Sequence, residues 1–266
     1  MKDKIIYEAF SKENIFCVKA AELSKLKIIK EYLIPKGVCT ALVWLLPYNV
    51  GTPEGNISLY ARTLDYHRLF DDVSKRIAKN LKKQFPDANF YNFSDHSPIA
   101  EVSAAASLGL GVIGENNLLI NEKYGSYIFV GTLFTDLVTE YDEIMPIKSC
   151  IRCGACKRAC PTKSLENKSM DACLSFINQK KGTLTNEEEK LIKESKMAWG
   201  CDVCQLSCPM NKNAEKTPVS LFYENRIEFV TKELILSMTQ DEFKSRAFSF
   251  RGKEPILRNL DLLENS

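Results

Sequence analysis

Eight of the ten cysteines in this 266-residue chain fall between residues 150 and 208. They are Cys150, Cys153, Cys156, Cys160, Cys173, Cys201, Cys204 and Cys208. The first four form C-x2-C-x2-C-x3-C and run into Pro161; the last three form C-x2-C-x3-C and run into Pro209. The first spacing is that of a bacterial-type [4Fe–4S] ferredoxin run, and eight thiolates are what two cubane clusters need. Thiolates two or three residues apart wrap one side of a compact cluster when the chain coils tightly. The last cysteine of such a run ligates the other cluster. The pattern therefore predicts Cys150, Cys153, Cys156 and a returning Cys208 on one cluster. Cys160, Cys173, Cys201 and Cys204 go to the second.

Three other readings compete. Zinc takes paired C-x2-C units with a longer gap between them. It poorly explains three cysteines in immediate succession and two C-x3-C-P endings. Disulfides fit an extracellular framework, but the start Met-Lys-Asp-Lys-Ile-Ile-Tyr-Glu has no signal-peptide apolar region. Buried inert thiols are the reading for Cys17 and Cys39, which stand apart in apolar surroundings.

Composition sets few limits beyond these. Hydrophobic residues make up 45% and charged residues 26%, ordinary for a globular protein. No apolar run approaches the ~20 residues of a membrane span, so no membrane partner is expected. A reducing cytoplasm is the expected compartment. The net charge of +2 gives the chain as a whole little pull on nucleic acid. Two histidines, His67 and His96, exclude a His-rich metal site.

Taken in order, residues 1–35 read as helical, with an apolar face along Val18 to Leu33. Val38 to Leu46 reads as a buried strand ended by Pro47, and 49–56 as a loop. Leu64 to Phe85 is a helix, Phe90 to Phe93 a short strand, and 94–98 a turn with Pro98 in the first turn of the next helix. Ala104 to Ala106 give that helix a close-packing face. Gly109, Gly111 and Gly114 match G-x-G-x-x-G by letter, but no strand precedes them and no helix follows, so a tight loop is predicted. Asn117 to Ile120 and Tyr127 to Leu133 are predicted to pair. Thr185 to Met197 reads as a charged helix with Glu187 to Glu189 in its first turn, where the helix dipole favours acids. Short helical pieces follow Cys208. The fold class is α+β: a layered α/β domain over 1–145, a ferredoxin-like two-cluster domain over 146–212, and a short helical segment over 213–266.

Several stretches together resemble the epoxyqueuosine reductases, relatives of the reductive dehalogenases. They are Tyr60-Ala61-Arg62, Asp65-Tyr66-His67, Asp95 with Pro98 and Glu101, and the glycine loop to Asn116. Gly125-Ser126 and the first cysteine run with Thr162 follow, then Cys173-Leu174-Ser175. Gly200-Cys201-Asp202-Val203-Cys204-Gln205, Cys208-Pro209-Met210-Asn211, Glu242-Phe243, Phe248 and Arg258-Asn259 close the set. The resemblance implies cobalamin as a cofactor beside the two clusters, bound by the first domain against the second. It implies a two-electron removal of the epoxide oxygen of epoxyqueuosine in tRNA, with an external low-potential electron donor. Asp95 matches the family's proton donor. Ser175 and the Cys201-Asp202 backbone match positions near the corrin. The cobalamin signature Asp-x-His-x-x-Gly ends here at Phe70 rather than glycine, so no protein histidine is expected beneath the cobalt.

Nearer readings stand beside these. Asp95 could cap the following helix, His67 could be a packed core histidine, and Arg258 could pair with a nearby acid. The family usually carries arginine, tryptophan and lysine where this chain has Val102, Val112 and Glu115. The sequence also stops soon after Arg258-Asn259, which implies a short form without the helical-repeat extension. Phosphate contacts dominate tRNA affinity, so the lost basic groups bear on the substrate more than on the cofactors. Two alternatives follow: a cobalamin-dependent reductase of a small molecule or corrinoid, and a two-cluster electron-transfer protein without a substrate of its own.

Overall fold

The computed structural model describes residues 2–93 and 96–265. Contacts divide the chain into two compact units. The first comprises Met1–Tyr48, His67–Arg152 and Asn213–Leu221, the second Asn49–Tyr66, Cys153–Lys212 and Phe222–Ser266.

The first unit is built on β2 (Thr40–Pro47), whose eight residues are all buried. A strand covered on both faces reads as a continuous apolar run, and Thr-Ala-Leu-Val-Trp-Leu-Leu-Pro is one. With β1 (Val18–Glu22), β3 (Phe90–Phe93) and β6 (Ile128–Thr135) it forms an antiparallel sheet in the order β1-β2-β6-β3. Successive side chains point to opposite faces. Ala41, Val43 and Leu45 join Ala104, Ala105 and Ala106 of α3 (Glu101–Ser107) in one core cluster. Trp44 turns the other way, its ring 5.9 Å from that of Phe10 on α1 (Lys2–Ser11) and 4.7 Å from that of Phe70 on α2 (Tyr66–Gln84). Gly131 pairs with Trp44 across β2 and β6. A Cβ there would stand 2.4 Å from Phe70 Cε1 and 2.5 Å from the Trp44 ring, so the aromatic packing requires glycine. A separate two-stranded ribbon joins β4 (Val112–Ile113) to β5 (Leu119–Ile120).

Three sequence expectations change here. The helical face over Val18 to Leu33 is instead β1 followed by two short 3-10 turns, Leu23–Lys25 and Glu31–Leu33. Pairing with β2 satisfies the backbone of 18–22, while Ile29 and Tyr32 stay 53% and 79% exposed, so the apolar spacing beyond Leu26 is not a core face. Asn117 to Ile120 does not pair with Tyr127 to Leu133: β5 takes β4, and β6 takes β2 and β3. The helix after Pro98 begins at Glu101, because the Pro98 carbonyl accepts the Ile29 and Lys30 N–H groups and holds that turn open.

The second unit holds short helices: α4 (Ala155–Ala159), α5 (Ser164–Asn167), α6 (Leu174–Gln179), α7 (Asn186–Ser195), α8 (Val203–Leu206), α9 (Lys232–Ser237), α10 (Gln240–Lys244) and α11 (Lys253–Glu264). α7 starts as expected. The Thr185 hydroxyl accepts the Glu188 N–H and the Glu188 carboxylate accepts the Thr185 N–H, a complete capping box. Trp199, Phe243, Phe248, Ile235, Ile256 and Leu260 form its main core. No helix among the described residues is long and apolar enough to cross a membrane.

Candidate metal centre

The cysteines lie in tight turns and on the short helices of the cluster segment. All ten are free thiols, so no disulfide forms. Cys156 lies on α4, Cys160 caps its end, Cys173 opens α6 and Cys204 lies on α8. The contacts group Cys150 with the first unit and the other seven with the second. The left-handed backbone at Gly154 (φ 71°) begins the coil that brings the run round. Among the described residues no three His, Cys, Asp or Glu side chains gather as one metal ion would need.

The sulfurs sit in two kinds of environment. At Cys160 burial works to raise the thiol, but N–H groups of Leu165, Thr162 and Ser164 and the Thr162 hydroxyl outweigh it and hold the sulfur below its ordinary value. Donors aimed at sulfur favour thiolate, the form iron requires. At Cys201 burial pushes the thiol up to about 12, helped by the neighbouring Cys204, Asp202 and Cys173. A metal taken up there displaces a proton. Eight unbridged cysteines, one already favoured as thiolate, fit two clusters. Cys17 and Cys39 lie apart: burial raises the Cys17 thiol, and Cys39 Sγ reaches the Asp136 carbonyl at 3.5 Å.

Asp202 is buried, with 5% exposure. Ser58 Oγ donates to its Oδ1 at 2.5 Å and the Leu59 N–H to its Oδ2 at 2.8 Å. Burial raises the carboxyl, against those two bonds and the Arg62 charge. Both carboxylate oxygens thus hold the 58–59 turn, while the Asp202 carbonyl accepts the Gln205 and Leu206 N–H groups. Ser175 lies in the first turn of α6, its Oγ accepting from Gln179 Nε2 at 2.9 Å. It lines a cavity of about 440 Å³ with Met170, Cys173, Phe176, Gln179 and Lys180. Lys181 and Arg251 complete the lining, so the wall combines a hydroxyl and an amide, which can bond the amide side chains of a corrin, with three cations beside Cys173. Asp95 lies outside the described residues. His67 is half-buried near the start of α2, and His96 Nδ1 lies 3.1 Å from Lys30 Nζ.

Other matched residues hold backbone in the second unit, Arg62 the 52–57 loop and the rest the segment between Cys173 and Cys201, which residue types did not reveal. Arg62, 1% exposed, donates to the Ile57, Thr52 and Pro53 carbonyls. Tyr60 Oη accepts from Trp199 Nε1 at 3.2 Å. Arg258 reaches the Lys180 and Gly182 carbonyls at 2.8 and 2.7 Å, so backbone at the end of α6 replaces the expected acid partner. Asn259, fully buried, donates to the Asn178 and Ala198 carbonyls. Asn178 in turn pairs both its amide atoms with the Gly200 backbone, one residue before Cys201. The signal available in the sequence was the order of these polar residues around the cysteine runs.

Residues 149–211 match the family described as a 4Fe-4S double cluster binding domain. The chain is 34% identical over 207 residues to an epoxyqueuosine reductase of Lactococcus garvieae, covering 74% of this chain and 57% of that relative. It thus spans less than two thirds of the relative's length. The solved structure of an epoxyqueuosine reductase from Streptococcus thermophilus superposes with a TM-score of 0.77 at 27% identity, covering 99% of this chain and 81% of the other. A crystal structure of epoxyqueuosine reductase with a tRNA-Tyr epoxyqueuosine-modified stem loop shares the fold, with a TM-score of 0.80 at 22% identity over 98% and 80%. Fold and site define an α+β iron–sulfur protein with two [4Fe–4S] centres. Within that class, the chain belongs to the epoxyqueuosine reductase family.

Proposed function

We propose that the protein is an iron–sulfur, cobalamin-dependent oxidoreductase that removes the epoxide oxygen of epoxyqueuosine in tRNA to leave queuosine. One observation carries this reading: the likeness to epoxyqueuosine reductases runs through both units, over 99% of the chain. A protein that only relayed electrons would need residues 149–211 alone.

Two clusters, when bound, carry electrons singly, and cobalamin supplies the strongly reducing centre that breaking a carbon–oxygen bond needs. The chain's own residues do the rest. Cys150, Cys153, Cys156 and Cys208 hold one cluster, and Cys160, Cys173, Cys201 and Cys204 the other. Ser175 and the Cys201-Asp202 backbone would lie near the corrin when it is bound. Asp95 gives its proton to the oxygen that leaves. A carboxylic acid does this near neutral pH when burial raises its pKa. Functionally we divide the chain at residues 145 and 212, with cofactor and substrate before, clusters between, and a helical brace after. We place the protein in the cytoplasm, where thiols stay reduced.

A second reading rests on Val102. It lines a cavity of about 280 Å³ with Lys30, Ser97, Ile99, Ala100 and Glu101, a wall with one base and one acid. Such a mouth attracts phosphate weakly and suits a small neutral molecule. The test is reconstitution with iron, sulfide and cobalamin, then incubation with epoxyqueuosine-containing tRNA and dithionite. We expect queuosine in the RNA digest. Its absence, where a longer relative succeeds in parallel, ends the tRNA assignment.

A further inference from the structure

Electrons must enter before any substrate is reduced, and the cluster unit presents one obvious door. Among the described residues, Cys153 is the one exposed cysteine of the eight; the others are half-buried or buried. Its loop leads into α4, which carries Lys157 and Arg158. Arg158 Nη1 donates to the Cys153 carbonyl at 2.9 Å, which lays a guanidinium over the exposed ligand's own peptide. A Cβ on Gly154 would come within 2.9 Å of the same nitrogen. α5, flanked by the exposed Lys163 and Lys168, packs on α4. So does α8, whose Leu206 is 50% exposed. Within the second unit, residues 153–165 carry Lys157, Arg158 and Lys163 and no acid; the exposed Glu166 on α5 is the acid that follows.

The composition of this face has a physical meaning. Tunnelling weakens steeply with distance, so an electron reaches a cluster fastest through a ligand at the surface. A positive rim around that ligand raises the encounter rate with negative partners and orients them. A small apolar contact suits a transient complex that must also part. We propose that the α4–α5–α8 face around Cys153 is the docking surface for an acidic, low-potential electron-carrier protein. The proposal rests on reading the cluster unit as the electron relay of a reductase. RNA would also seek the basic rim, but it gains nothing from an exposed cluster ligand or from Leu206.

The test uses holoprotein, prepared anaerobically, with acidic FMN-loaded flavodoxin as the probe. Binding is measured at low and high salt, and bleaching of cluster absorbance is followed by stopped flow after mixing with reduced flavodoxin. Lys163→Glu with Lys168→Glu should weaken flavodoxin binding and slow bleaching by about 10-fold or more at low salt, the lower end of electrostatic steering. The effect should shrink as salt rises. Iron content and cluster spectrum check that the variant is loaded; Arg158→Gln serves as a second variant should the first lose iron. Absence of flavodoxin binding to the parent protein, or unchanged binding and bleaching in the loaded variants, overturns the proposal. So does weaker binding of a stem-loop RNA with flavodoxin binding intact, which would make this an RNA surface. Turnover driven by dithionite needs no donor protein, so its failure speaks against the substrate and leaves the docking surface standing.

Discussion

Asn178 shows how much one amide can do near a metal site. Its Oδ1 accepts the Gly200 N–H at 2.9 Å and its Nδ2 donates to the Gly200 carbonyl at 2.8 Å, as a neighbouring strand would. Asn259 then holds the Asn178 carbonyl from α11. Removing such a partner leaves buried polar groups unpaired, at about 1–3 kcal/mol. Asn178→Ala should therefore loosen the turn before Cys201 and lower iron toward one cluster per chain, read by iron analysis after gel filtration. Asp95→Asn should act differently: both clusters and cobalamin stay bound, while turnover slows by roughly 10²-fold or more, the scale of acid catalysis. Equal turnover would remove Asp95 from the proton-donor role. The double-cluster segment was legible because its cysteine spacing lies within a few residues. The amide braces were not, because an asparagine's partners lie far away in sequence.

At the scale of elements, legibility followed how local the cause was. The capping box of α7 is written in Thr185 and Glu188 three residues apart, and the buried run of β2 in its own letters. β1 was misread because its partner, β2, lies some twenty residues on and outweighs local periodicity. Asp142 shows what anchors that strand: it accepts from Lys19 Nζ at 2.6 Å and from the Ala20 N–H at 2.9 Å. The bond to Asp142 raises the Lys19 ammonium above its ordinary 10.5, more than burial lowers it. A cation with a raised folded value adds stability that is full below 10.5 and lost as pH rises through the raised value. Lys19→Gln should thus cost about 0.2–1 kcal/mol at neutral pH, the range of a partly exposed pair. The difference should close above pH 10.5. Urea midpoints followed by tryptophan fluorescence would check both.

For the whole molecule, the two units have different sources of stability. The first buries a sheet on both faces, with Trp44, Phe10, Phe70 and Phe134 among its largest buried side chains. The second strings short helices around the cysteines, and helices this short do not stand without tertiary support. Metal binding is folding free energy where a site cannot form otherwise. Anaerobic removal of iron should open residues 153–212 to protease while β2 and β6 stay protected, read by mass spectrometry of the fragments. Uniform protection in iron-free protein would contradict this.

By itself the sequence determined the two-cluster class of the cysteine segment, the buried run of β2 and the capped start of α7, since each follows from spacing within a few residues. Tertiary structure decided which strands pair, why Gly131 must be glycine, that Arg62 holds the 52–57 loop, and that Asp202, Arg258 and the asparagines brace the segment around Cys201. Those outcomes depend on groups brought together from distant positions, and only the folded chain sets their distances.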